Sequence, residues 1–310
     1  MQMLDGRIRQ YNLIRPLGHG RHGQTWLAVD EAIQRTVVLK FLSPDIIAED
    51  GFVSSFENLT ERINQLMHRR LAAIYGLDTV DPEHPFIIRE YIDGHSLPQY
   101  TGGQPMFYQQ FLDLASQIAA GVHAAHECNI VLKNLTPNNI LITLTGQVRL
   151  VDFCLDWSPN SHDPEAVLAA ARYCSPEQLQ GSPLTPGSDL FTLGALYYEL
   201  LTGERAFPEP TLEDVKGRIT SRGPDFETQP ARRIPSDARL MIERLADPEI
   251  KERMSTLTLV ASLEGMLSYH IQILNEEPTP PQTGSARKYL SLSLLAVLLV
   301  IFWLVITTTW

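Results

Sequence analysis

Short apolar runs rich in β-branched and aromatic residues alternate with turns through the first third of the chain: Tyr11–Leu17, Gln24–Val29, Thr36–Phe41, Ile74–Val80 and Phe86–Tyr91. Runs of this length bounded by turn formers predict a small antiparallel sheet. One stretch breaks the pattern. From Val53 to Met67 the apolar residues Phe56, Leu59, Ile63 and Leu66 recur at spacings of three and four, the period of a helix. From Phe107 onward helical periodicity takes over. Phe107–Glu127 is long and amphipathic, and Ser188–Leu201 is apolar almost all round, as a helix buried inside a large lobe is. Between them, Asn139–Asp152 predicts two short strands hinged on Gly146. The expected class is α+β with two lobes, a sheet lobe over about 11–93 and a helical lobe over about 94–270.

The far end is patterned differently. Leu290–Thr307 is uncharged and strongly apolar, about the ~20 residues with which a helix crosses ~30 Å of hydrocarbon. We expect one transmembrane helix over 289–308, flanked by Tyr289 and Trp310, with a buried core helix as the alternative. Residues 276–288, rich in Pro, Thr and Gln, read as a linker because such a composition buries little. Arg287 and Lys288 abut the apolar run, and by the positive-inside rule they keep the preceding domain cytoplasmic. The expected localisation is therefore a membrane, with a single C-terminal pass. The start of the chain, with Asp5, Arg7 and Arg9, lacks the apolar run of a signal peptide.

Composition narrows the function. A chain of 310 residues that is 44% hydrophobic can bury one large domain, and a net charge of -11 argues against a nucleic-acid partner, whose phosphates call for surplus Lys and Arg. Cys128, Cys154 and Cys174 have neither metal-ligand spacing nor the density of a disulfide scaffold, and read as thiols.

Chemistry is concentrated in a few motifs. Gly18-His19-Gly20-Arg21-His22-Gly23 joins strand to strand, where Gly18, Gly20 and Gly23 let backbone N–H groups approach phosphate oxygens; a dinucleotide fold would need this motif to open a helix. An ordinary glycine-rich hairpin is the plainer reading of the motif alone. Val37-Val38-Leu39-Lys40 then puts a lysine at the end of an apolar strand. With these, Phe86–Gly94, Leu132–Leu141, Asp152-Phe153-Cys154, Ser175-Pro176-Glu177, Asp189–Gly194 and Arg253 follow in an order that resembles the protein kinases, particularly bacterial Ser/Thr kinases, over residues 11 to 267. The resemblance implies ATP and Mg2+ as cofactors. Lys40 would hold the nucleotide phosphates, the backbone near Glu90 and Ile92 the adenine, and Asn139 and Asp152 the metal. It also implies an ion pair between Arg253 and Glu177.

The same resemblance exposes departures. Asn134 stands where the family has its catalytic Asp, Thr136 where it has the lysine that steadies the transferred phosphoryl group, and Ala170 where a threonine bridges the two. No Asp or Glu lies between Glu127 and Asp152 to substitute. Leu59 aligns with the helix glutamate that pairs with Lys40, unless the register is shifted by two to Glu57 or Glu61, which otherwise face about 200° away. Leu132 and Lys133 replace His and Arg, Cys154 replaces a glycine, Val38 a small alanine, and Arg89 occupies the gatekeeper position behind adenine.

These observations support a membrane-tethered pseudokinase that binds a cytoplasmic protein partner, an active kinase being one candidate. A weak or atypical Ser/Thr kinase that keeps Lys40, Asn139 and Asp152 is the alternative. ATP binding is left open by the residues alone.

Overall fold

Alternation along the early strands is carried out as a six-stranded sheet. β1 (Arg7–Ile8), β2 (Tyr11–Gly20), β3 (Gly23–Asp30), β4 (Arg35–Leu42), β5 (Ile74–Thr79) and β6 (Pro85–Glu90) lie in the order β1-β2-β3-β4-β6-β5, each neighbouring pair antiparallel. The computed structural model describes residues 6–20, 23–42, 52–79, 85–153, 155 and 163–275. Cys154, Val80, the linker at 276–288 and the expected span at 289–308 lie outside them. Among the described residues no helix is long and apolar enough to cross a membrane. The chain divides into two units, with the boundary between His270 and Ile271.

Strand side chains alternate between two cores. Val37, Leu39 and Phe41 of β4 join Tyr11, Ala28, Phe86 and Ile88 on one face, where the Tyr11 and Phe86 rings meet edge-on at 5.8 Å. Val38, Lys40 and Leu42 take the opposite face, and they too are buried, because that face looks onto the helical lobe. β2 runs three residues beyond its predicted end. Register shifts at Leu13/Arg15 and Pro16/Gly18 absorb Pro16, which has no N–H to give the ladder, and pairing with β3 resumes as far as Gly20↔Gly23.

α1 (Phe52–Leu66) packs against β5 and stops one residue short of the predicted end, where Met67 turns left-handed at φ 43°. β7 (Gly94–Ser96) and α2 (Leu97–Thr101) lead into α3 (Tyr108–Glu127). β8 (Ile140–Thr143) and β9 (Val148–Leu150) form the expected hairpin, which β7 extends to three strands. The remaining helices are α4 (Pro164–Ala171), α5 (Pro176–Leu179), α6 (Pro186–Thr202), α7 (Leu212–Ser221), α8 (Ser236–Leu245) and α9 (Thr256–Asn275).

α6 is the centre of the helical lobe. Pro186 sits in its first turn, Ser188 Oγ accepts the Thr185 N–H at 3.1 Å, and Gly203 ends it at φ 72°. Its side chains are buried on every face, including Tyr197, whose hydroxyl donates to the Ala115 carbonyl of α3 at 2.9 Å. Gly194 permits the closest crossing: a Cβ there would lie 2.8 Å from both the Cβ and the backbone N of Ala246, just beyond α8.

Gly194→Ala must push α6 and α8 apart, a cost we expect at about 1–3 kcal/mol, read as a lower urea midpoint. Gly217→Ala is the control. That exposed position in α7 has nothing within 4 Å of a new Cβ, so the higher helix propensity of alanine is expected to raise the midpoint by up to ~1 kcal/mol.

Candidate functional site

The loop at residues 132–139 has little secondary structure, so side chains must hold it. Asp189, at the start of α6, is 2% exposed and accepts the backbone N–H of Leu132 at 2.8 Å and of Lys133 at 2.9 Å. His126 Nε2 lies 2.8 Å from the same carboxylate, and its Nδ1 lies 3.2 Å from Thr256 Oγ1. A carboxylate only accepts, so Nε2 carries a proton. Lys133 takes a left-handed conformation, φ 64°, and its carbonyl accepts from Gln178 Nε2 at 2.9 Å. The predicted bidentate pair is present beside it: Arg253 donates to both carboxylate oxygens of Glu177, at 2.8 and 3.1 Å, and stacks over Phe191.

Asn134 is 4% exposed, and its amide is turned inward. Nδ2 donates to the backbone carbonyl of Asp152 at 2.9 Å. Asn139 Nδ2 donates to the Asn134 carbonyl at 2.9 Å, and the Asn139 carbonyl accepts the Val151 N–H at 2.9 Å. These bonds join the loop to the segment that follows β9, where Asp152 is left-handed at φ 53°. A carboxylate has no N–H, so an Asp at 134 could not make the first of them. Half-buried Thr136 precedes the short 3-10 turn Pro137–Asn139 and contributes its carbonyl to the Asn139 N–H. Ala170 lies in α4, packed on the main core.

Antiparallel register sets Val38 of β4 opposite Arg89 of β6, and with Lys40 two residues on, both cations arise on the same face of the sheet. They converge on one acid. Lys40 Nζ donates to Asp152 Oδ2 at 2.7 Å and Arg89 Nε to Asp152 Oδ1 at 2.8 Å, with Lys40 and Arg89 each 7% exposed. Burial alone would raise the Asp152 pKa, but the Arg89 and Lys40 charges and hydrogen bonds outweigh it and hold the carboxyl well below the usual carboxylate range. Both oxygens expected to meet Mg2+ thus accept from cations of the protein. With both oxygens so held, Asp152 as arranged does not fit a divalent ion, and among the described residues no cluster of three or more His, Cys, Asp or Glu side chains offers another place for one.

Of the expected adenine contacts, the Glu90 backbone is engaged as well. The Glu90 N–H donates to the Ala73 carbonyl at 2.9 Å, and its own carbonyl accepts from Arg89 Nη1 at 3.1 Å. The Glu90 carboxylate accepts from the Ala73 N–H at 3.0 Å and from Arg149. Ile92 is buried with Ala72, Leu141 and Val151. Gly18, Gly20 and Gly23 line the end of the β2–β3 hairpin as expected. Leu59 is half-buried against the main core, while Glu57 and Glu61 face solvent. The gatekeeper position behind adenine says nothing by itself of the Arg89 charge. Its signal was present nonetheless: a guanidinium in the apolar run Phe86–Ile88 needs a buried anion.

A twisted sheet whose glycine turn and lysine strand sit over a loop fastened to a buried helix is the architecture of a protein kinase. The protein kinase domain model matches residues 11–263, and the chain belongs to that family. It is 31% identical to the serine/threonine-protein kinase PrkC of Bacillus subtilis over 202 residues, covering 64% of this chain and 31% of that one. It is also 32% identical to the serine/threonine-protein kinase PknB of Mycobacterium leprae over 209 residues (64% and 33%), and 31% to PknA of Mycobacterium tuberculosis over 215 residues (66% and 48%). The chain thus spans between about a third and a half of the length of these relatives.

An acid at 134 would exchange a donor for a second acceptor facing the Asp152 carbonyl. We expect Asn134→Asp to lower unfolding free energy by about 1–3 kcal/mol, measured by urea denaturation.

Proposed function

We propose that the chain is a membrane-tethered pseudokinase: a kinase-shaped module that binds a cytoplasmic protein partner and acts as a scaffold or as an allosteric regulator of an active kinase. The observation that carries this reading is the inward amide of Asn134. In phosphoryl transfer to a protein hydroxyl, the residue in that slot orients the hydroxyl and accepts its proton. Here the slot holds a neutral amide whose N–H is committed to the Asp152 backbone. Thr136 and Leu59, in place of the lysine and the helix glutamate, remove two further charges that the reaction uses.

A weak Ser/Thr kinase is the second reading, favoured by Lys40, Asn139 and Asp152 and by the kinases to which the chain is similar. Loss of a general base by itself typically removes ~10²- to 10⁴-fold in rate, which can leave slow turnover. The readings separate on one assay. The full chain, given radiolabelled ATP, Mg2+ or Mn2+ and a general protein substrate, is expected to transfer no more label than its Lys40→Ala variant. Transfer above that level, lost in Asp152→Asn, would establish the weak kinase instead.

The tether is proposed on the apolar run at 289–308 and the Arg287-Lys288 pair before it. Expressed in bacteria, the full chain is expected to sediment with membranes and resist extraction by salt or alkali, while a chain ending at 275 appears in the supernatant. Release of the full chain by alkali would remove the tether from the proposal.

A further inference from the structure

Arg89 touches both things that a nucleotide would need. Its Nε holds one oxygen of Asp152, the acid that would take the metal, and its Nη1 holds the carbonyl of Glu90, the group that would accept from the adenine amino group. Lys40, which would meet the phosphates, is held on the other Asp152 oxygen. One guanidinium thus links the hinge side of the pocket to its phosphate side. We propose that Arg89 is an internal cation that takes the place of the divalent ion on Asp152 and closes the nucleotide pocket, so that the wild-type chain does not bind a metal–nucleotide complex and the site behind Arg89 is latent. The inference rests on the pseudokinase reading of the same site and says why that site would be silent.

The physical reason is that both oxygens of the acid are taken. Lys40 and Arg89 each lie within 2.8 Å of one oxygen of Asp152. A divalent ion on the oxygen that Arg89 holds would have to displace that buried guanidinium from its acid, and separating a buried cation from its counter-charge is strongly unfavourable. Adenine entering on the hinge side would compete with Arg89 for the Glu90 carbonyl. Replacing Arg89 with an uncharged side chain removes both obstacles, leaving Lys40 on one oxygen of Asp152 and freeing the other for a metal.

The test uses the full chain in detergent micelles, titrated with a fluorescent mant-ATP in EDTA and again with millimolar Mg2+, as wild type, Arg89→Met and Arg89→Met/Asp152→Asn. The wild type is expected to bind no tighter with Mg2+ than without. Arg89→Met is expected to gain at least about tenfold in affinity with Mg2+, equivalent to ~1.4 kcal/mol, and to lose that gain in the double variant. If Arg89→Met does not melt cooperatively, the wild-type pair of titrations decides by itself. A wild type that binds about tenfold tighter with Mg2+ overturns the inference, as does a folded Arg89→Met whose affinity is unchanged. Label transfer measured on the same samples keeps the two claims apart. Mg2+-dependent binding by a wild type that transfers nothing sinks only the Arg89 lock, whereas transfer by the wild type sinks the pseudokinase reading itself.

Discussion

The carboxylate of Asp189 is the group on which the geometry of the site depends. A buried acid is tolerated only when donors surround it, and the donors here are the two backbone N–H groups of Leu132 and Lys133 together with His126. That need fixes the loop from below. With Lys133 drawn into a left-handed turn, the chain leaves the anchor with Asn134 directed at the Asp152 carbonyl. The helix that carries Asp189 is itself held by close packing at Gly194 and by the Tyr197 hydroxyl. Packing thus positions an acid, the acid positions a loop, and the loop positions the backbone of a second acid.

At that second acid, charge accounting replaces packing. Removing an ion from water costs several kcal/mol even after relaxation, and attraction at close range in the interior recovers this only when the partners are well placed. Lys40 finds a counter-charge in Asp152, and Leu59 of α1 is half-buried against the main core. Arg89 then completes the group with a second cation on the remaining oxygen. The Lys40 amine, the Arg89 guanidinium and the Asn134 amide thus gather around one residue, Asp152.

Much of this was legible in the residues. Strand alternation and helical period placed the sheet strands from β2 onward and the helices α1, α3 and α6 to within a few residues, whereas α4, α7, α8 and the 20-residue α9 were not read from the pattern. The Glu177–Arg253 pair followed from motif order, which also placed Asp189 at the start of a buried helix. Contacts made by long side chains did not. Nothing in the local pattern of Phe86–Glu90 says which way the Arg89 guanidinium turns, since that depends on an acid 63 residues away. The Asn134 amide posed the same difficulty. Its substitution was plain as a loss of basicity, but that the amide gained a backbone partner follows only from the three-dimensional closeness of residues 134 and 152. The end of β2 was placed at Leu17 because the glycines that follow read as a turn, whereas pairing with β3 carries the strand on to Gly20.

Glu90 has a mechanical consequence. It ends β6, the last strand of the six-stranded sheet in chain order, yet its carboxylate grips Arg149 on β9 in the helical lobe, and Arg149 also reaches the Leu71 carbonyl at 3.3 Å. The two lobes are therefore joined by a cross-brace as well as by the single chain crossing between them. A joint braced in this way resists the opening and closing by which a two-lobed enzyme admits one ligand and expels another. In the scaffold proposed above, that stiffness would hold constant the surface offered to a partner.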